Sequence, residues 1–135
     1  MQDRVFIDTN VFIYLYSTDE DIKKEKAIEA INEYDSYTST QAINELSNVL
    51  IKKFNMKTED IKNVVDEIYS NCEVITLDST IIKSALDIHS KYKFSYYDSL
   101  MLATAVNSEC SKILSEDMND GQVIEKKLTI TNIFK

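Results

Sequence analysis

The sequence predicts a single α/β domain whose mostly parallel sheet is covered by helices on both faces. Short apolar runs rich in β-branched residues alternate with longer stretches whose apolar residues recur at helical spacing. The chain has no proline and one glycine, Gly121, so no linker divides its 135 residues. At that length, 44% apolar residues suffice for one core, and residues 1–135 are read as one domain.

The elements follow in order. Residues 4–7, with Val5, Phe6 and Ile7, read as a buried strand. A helix over 20–34 carries Ala27, Ile31 and Tyr34 on one side. Tyr37 to Ser39 is a less apolar strand candidate, followed by a helix over 41–54 carrying Ile43, Leu46, Leu50 and Phe54. Next, Ile61, Val64, Val65, Ile68 and Tyr69 fall at i, i+3, i+4, i+7 and i+8, one face of an amphipathic helix with Thr58 as its expected N-cap. Val74 to Leu77 and Lys112 to Leu114 are brief strands of the buried kind, helices are expected over 79–92 and 98–108, and Leu128 with Ile130 suits a late edge strand.

Composition excludes several classes. A formal net charge of -8 argues against binding nucleic acid by bulk attraction; a polyanion has to be met locally, and an acidic surface suits a basic protein partner. Lysines cluster at Lys23, Lys24 and Lys26, at Lys52, Lys53 and Lys57, and at Lys126 and Lys127, groups expected mainly on solvated faces. Cys72 and Cys110 lie far apart outside any C-x-x-C pattern, so both are expected to be free core thiols, with no redox motif and no structural zinc. The chain opens on Met-Gln-Asp, and no apolar run approaches the ~18 residues of a membrane span. A cytoplasmic protein is expected.

The acids carry the chemistry. In an open α/β sheet, ligands bind beyond the carboxyl ends of the strands, where strand order reverses. Asp8 directly follows the first strand, Glu45 lies early in the helix after the second, and Asp117 follows the strand ending at Leu114. Asp98 precedes Met101, Leu102 and Ala105 at i+3, i+4 and i+7, which puts it on an apolar stripe. Each has a plainer reading alone. Ser95-Tyr96-Tyr97-Asp98 also fits a capping box, Glu45 an exposed helix position, Asp8 a cap, and Asp117 a turn residue with Glu116 and Asp120 equally eligible. A cap does not account for the coincidence of four. Converging carboxylates repel unless a cation neutralises them, and Mg²⁺ or Mn²⁺ suits an all-oxygen site lacking His and Cys. Thr9, Asn10 and Ser115 stand beside these acids as supporting polar groups.

These segments together resemble the PIN-domain ribonucleases. "FIDTNVFIYLY" is similar to that family's opening strand and helix with its first acid, "STQAINELSNVL" to the helix with the second, "YYDSLMLATAV" to the helix with the third, and "ILSEDMNDG" to the strand and loop with the fourth. The tail "LSEDMNDG" followed by "LTITNIF" resembles VapC-type toxins of toxin–antitoxin pairs. The resemblance implies a three-layer α/β/α sandwich, with Asp8, Glu45, Asp98 and Asp117 as the catalytic metal site and Asn10 and Ser115 in support. It implies Mg²⁺- or Mn²⁺-dependent cleavage of single-stranded RNA by a metal-activated water, a homodimer, and a small antitoxin that blocks the site. The fourth position stays open among Asp117, Glu116 and Asp120.

Rival readings remain. His89 is the only histidine, which excludes catalysis by paired histidines; its alignment with Ile82, Ala85 and Leu86 suggests a partly buried packing role. An aspartyl-phosphate phosphotransferase would use Asp8 as nucleophile but usually has a second aspartate where Asn10 stands. A non-catalytic scaffold binding RNA or protein is the alternative from another class. Tyr14, Tyr16, Tyr96 and Tyr97 flank the acids and suit base stacking or, for most of them, core packing.

Overall fold

The computed structural model describes residues 2–135; Met1, which the sequence reading includes in the domain, lies outside them. Six strands and six helices follow in the order β1 (Arg4–Ile7), α1 (Thr9–Tyr14), α2 (Asp21–Glu33), β2 (Asp35–Ser39), α3 (Thr40–Lys52), α4 (Thr58–Asn71), β3 (Glu73–Ile75), α5 (Ser79–Tyr92), α6 (Tyr96–Asn107), β4 (Lys112–Leu114), β5 (Val123–Ile124) and β6 (Leu128–Thr131).

The strands form one sheet in the order β3-β2-β1-β4-β6-β5, parallel except for the antiparallel β5–β6 pair. Alternation along β1 divides the core: Phe6 joins the cluster with α5 and α6, while Val5 and Ile7 join the other with α2, α3 and α4. Ile113 and Leu114 of β4 split the same way, giving the three-layer α/β/α sandwich. Strand order reverses between β1 and β4. Phe6 pairs with Ile113 and Ile7 with Leu114, so the residues leaving the ends of both strands, Asp8 and Ser115, emerge side by side. This is the crevice where such sheets bind ligands.

Several expectations change in detail. β6 is not an edge strand, because β5 pairs outside it through a hairpin too short to show periodicity. Gly121, at φ 88°, turns the chain into that hairpin. Thr58 is the first residue of α4 rather than its cap; Lys57 holds that position and makes no side-chain capping bond. The α6 residues Ser99 to Ala105 are buried on all sides, so the apolar stripe does not single out Asp98; its place in the first turn of a buried helix does. His89 is exposed, not packed: its Nδ1 lies 2.6 Å from the Phe94 carbonyl beyond the end of α5, and its neighbours Ile82 and Leu86 also face solvent. Cys72 and Cys110 are free and buried. Among the described residues no helix is long and apolar enough to cross a membrane.

Candidate metal and active site

Asp8 anchors the crevice. Its side chain is 7% exposed, and both oxygens are occupied: Oδ1 accepts from the Thr9 N–H at 2.7 Å, and Oδ2 accepts from Ser115 Oγ at 2.7 Å and Asn10 Nδ2 at 3.2 Å. Asp8 thus caps α1, as one plain reading expected, but a cap leaves its burial unexplained. Burial pushes its pKa up to about 6 against the pull of the Ser115 and Thr9 hydrogen bonds, and the charges of Asp98 and Glu45 push the same way.

The other acids converge from separate elements. Asp98 sits half-buried in the first turn of α6, whose N-cap Ser95 accepts from the Asp98 N–H at 3.2 Å. Its carboxyl is also raised, by burial first and by the charge of Asp117 in addition. Glu45 lies exposed in the second turn of α3 and accepts from Gln41 Nε2 at 2.8 Å. Asp117, exposed in the loop after β4, accepts from Asn10 Nδ2 at 3.1 Å. Asp8 therefore feels Glu45 and Asp98, and Asp98 feels Asp117.

Asn10 and Ser115 stitch the two strand ends together. Asn10 Nδ2 lies within hydrogen-bond distance of Asp8, Ser115 and Asp117, and its Oδ1 accepts from the Glu116 N–H at 3.2 Å. Ser115 Oγ, fully buried, donates to Asp8 and accepts from the Asp117 N–H at 3.3 Å. Thr9 acts through its backbone; its hydroxyl turns away to donate to the Ala42 carbonyl and ties α1 to α3.

The two competitors of Asp117 are engaged elsewhere. Glu116 accepts from Lys23 Nζ at 2.7 Å and from the Tyr14 hydroxyl, and these hydrogen bonds draw its pKa down although burial opposes them. Asp120 accepts from the Asn132 N–H at 2.8 Å and pairs with Lys135 at 3.1 Å, contacts that hold its pKa low. Among the described residues, none of Asp8, Glu45, Asp98 and Asp117 has a lysine or arginine ion pair.

Sequence reasoning passed over Gln41. It is 9% exposed, and its Nε2 bridges Glu45 Oε2 and the Tyr97 carbonyl (3.1 Å), tying the second acid to the helix of the third; its Oε1 is buried without a donor. Its spacing of four from Glu45 on one helix was the available signal. Lys23 and Tyr14, which draw Glu116 aside, left no local signal.

The donor set suits a hard divalent cation in chemistry: carboxylate oxygens, a buried carboxyl raised by neighbouring negative charge, and no basic side chain in answer. Among the described residues, no three His, Cys, Asp or Glu side chains form a ready cage.

The PIN domain family model matches residues 5–120. No curated protein matches. Among solved structures, the chain is similar to a toxin–antitoxin complex from Klebsiella pneumoniae, at 19% identity over 97% of this chain and 98% of that one, with a TM-score of 0.73. It is similar to FitAcB from Neisseria gonorrhoeae at 16% identity over 96% and 98%, with a TM-score of 0.67. VapC20 of Mycobacterium tuberculosis, described as a sarcin-ricin loop cleaving toxin, matches at 13% identity over 81% and 86%, again with a TM-score of 0.67. At such identities the likeness is one of fold.

Proposed function

This chain belongs to the PIN-domain family, and from that premise we propose that it is a Mg²⁺- or Mn²⁺-dependent endoribonuclease for single-stranded RNA, the toxin of a toxin–antitoxin pair. One observation carries the reading: Asp8, Glu45, Asp98 and Asp117 gather at the sheet's switch point with no basic partner among the described residues. Such a cluster favours a cation there over a lone phosphate.

Asp8 and Asp98 would hold the ion, Asp8 with its orientation fixed by Thr9, Asn10 and Ser115. A bound ion would lower the pKa of a coordinated water, polarise the phosphoryl oxygen and offset charge on the leaving oxygen. Glu45, exposed and steadied through Oε2 by Gln41, would orient the attacking water and take its proton at a carboxylate oxygen. Asp117, held by Asn10, would hold a second ion or a water. In-line attack by water leaves a 5′-phosphate and a 3′-hydroxyl.

The partners in this reading are RNA, a small antitoxin that blocks the site, and a second copy of the chain. The Klebsiella pneumoniae structure is a toxin–antitoxin complex, and a net charge of -8 suits a basic partner. The deciding experiment is cleavage of end-labelled single-stranded and structured RNAs with Mn²⁺, with EDTA, and by Asp98→Asn. Mn²⁺-dependent products ending in 3′-hydroxyl, lost in the variant, support the reading. No turnover by wild type at any Mn²⁺ concentration favours a scaffold, and covalent phosphate on Asp8 favours a phosphotransferase.

A further inference from the structure

Beside the acid cluster, a cavity of about 580 Å³ opens between α3, α6 and the segment after β3. Glu45 is among its lining residues, so the cavity adjoins the acid cluster. No lysine, arginine or histidine lines it, which makes it a poor seat for phosphate. Apart from Glu45, its lining is aromatic, apolar, amide and the Thr40 hydroxyl.

Tyr97, next to Asp98, is 66% exposed, unusual for a ring, and Tyr96 braces it edge-on at 5.6 Å and 61°. Tyr96 itself packs against the core, so the exposed ring has a fixed backing. Leu77 and Leu100 supply apolar surface. Asn44 and Asn48 lie one turn apart on α3, both exposed, on the same polar stripe as Gln41 and Glu45. An uncharged, flat ligand with donors and acceptors along its edge fits this set: the face for Tyr97, the edge for the two amides.

We propose that this cavity is a nucleobase subsite, in which Tyr97 stacks on an unpaired base adjoining the cleaved phosphodiester and Asn44 and Asn48 read its edge. The proposal rests on the ribonuclease reading and adds where the substrate's specificity is set. Tyr14 and Tyr16 are not part of it, and Tyr96 serves only to back the Tyr97 ring. Tyr14 meets Phe134 edge-on and donates to Glu116, and Tyr16 is packed against the core of the α2–α4 face.

The test separates binding from turnover. Affinity for fluorescent ten-nucleotide single-stranded RNAs is measured by anisotropy in EDTA, for wild type, Tyr97→Ala, Tyr97→Phe and Asn44→Ala/Asn48→Ala, with thermal melting to confirm folding. Tyr97→Ala should weaken binding about five- to 100-fold while Tyr97→Phe stays within about twofold, since stacking needs the ring and not the hydroxyl. Replacing one nucleotide by an abasic residue should cost wild type a similar factor and Tyr97→Ala nothing more. The double asparagine variant should flatten the base preference at that nucleotide.

Wild-type affinity in Tyr97→Ala, or an abasic penalty undiminished by it at every position, overturns the subsite. Mn²⁺-dependent cleavage of the same RNAs reports separately on the ribonuclease reading. Cleavage with Tyr97-independent binding rejects the subsite alone; Tyr97-dependent binding without cleavage rejects the nuclease and keeps a base-binding site. Binding of a basic peptide rather than RNA at this cavity, seen as Tyr97-dependent anisotropy with the peptide only, also rejects the proposal.

Discussion

Replacing Asp8 by asparagine tests whether a buried, uncompensated carboxylate lies at the centre of the site. Asp8 is nearly fully buried and its pKa rises from 3.8 to about 6, chiefly by burial. The folded protein therefore binds this proton more tightly than the unfolded chain does between those values, and metal-free stability must rise as pH falls through 6. Fully developed below pH 4, the difference is about 3 kcal/mol; between pH 7 and pH 5 it amounts to about 1 kcal/mol. For a domain of this size that is a gain of about 5 °C in Tm. Carboxyls with lowered pKa values, Glu116, Asp120 and Glu125, act in the opposite sense, their contributions lost as pH falls through those values. They are common to both proteins and cancel in the comparison. The assay is thermal melting in EDTA from pH 7.5 to 4.5. Wild type should gain about 5 °C on the variant between pH 7 and 5. At pH 7 Asp8→Asn should melt higher, since an amide avoids the cost of burying charge. Parallel profiles within 1 °C would refute the reasoning.

Saturating Mn²⁺ should reverse that order: at 100 times its Kd, an ion stabilises the protein that binds it by about 2.7 kcal/mol, seen as a higher Tm for wild type and none for Asp8→Asn. Asn10→Ala should cost about 1–2 kcal/mol in urea unfolding, because it strips donors from Asp8 and Asp117 and leaves the Glu116 N–H without its acceptor. Lys23→Gln should leave Tm within about 4 °C, the range of a partly exposed ion pair, yet lower the Mn²⁺ concentration for half-maximal cleavage several-fold as a cation is removed and Glu116 is freed toward the cluster. An unchanged Mn²⁺ requirement would show that the Glu116 pairing does not shape the site.

The parallel half of the fold is legible because buried strands are unmistakable when short and apolar: Val5, Phe6 and Ile7 mark β1, and Lys112 to Leu114 mark β4 to the residue. What escaped is what lacks period. β5 has two residues, too few to alternate, and its presence turns β6 from edge into interior. His89 was misplaced because Ile82 and Leu86 suggest a buried face, whereas α5 buries Ile81, Ala85 and Ile88. In the site, each acid is visible from its position after a strand or early in a helix. Which of Asp117, Glu116 and Asp120 is left free of a lysine is not, since it depends on Lys23 and Lys135, which lie 93 and 15 residues from the acids they engage. Partners at such separations leave no trace in local spacing.

The placement of those lysines explains how the loop after β4 is held without a basic side chain pairing with Asp117. Lys23 lies over the rings of Tyr14 and Phe134 as well as against Glu116, which fixes it at the far side of the loop after β4. Lys135 fixes the other end through Asp120, whose carboxylate also accepts from the Asn132 N–H. The loop is thus tied down by the two acids that do not face the crevice, and Asp117 between them is left turned to Asn10. Had either lysine reached Asp8 or Asp98, an ion pair would have neutralised the cluster from within. Fixing the loop by charge on its outer side and leaving its inner side uncompensated solves both requirements with the same few residues.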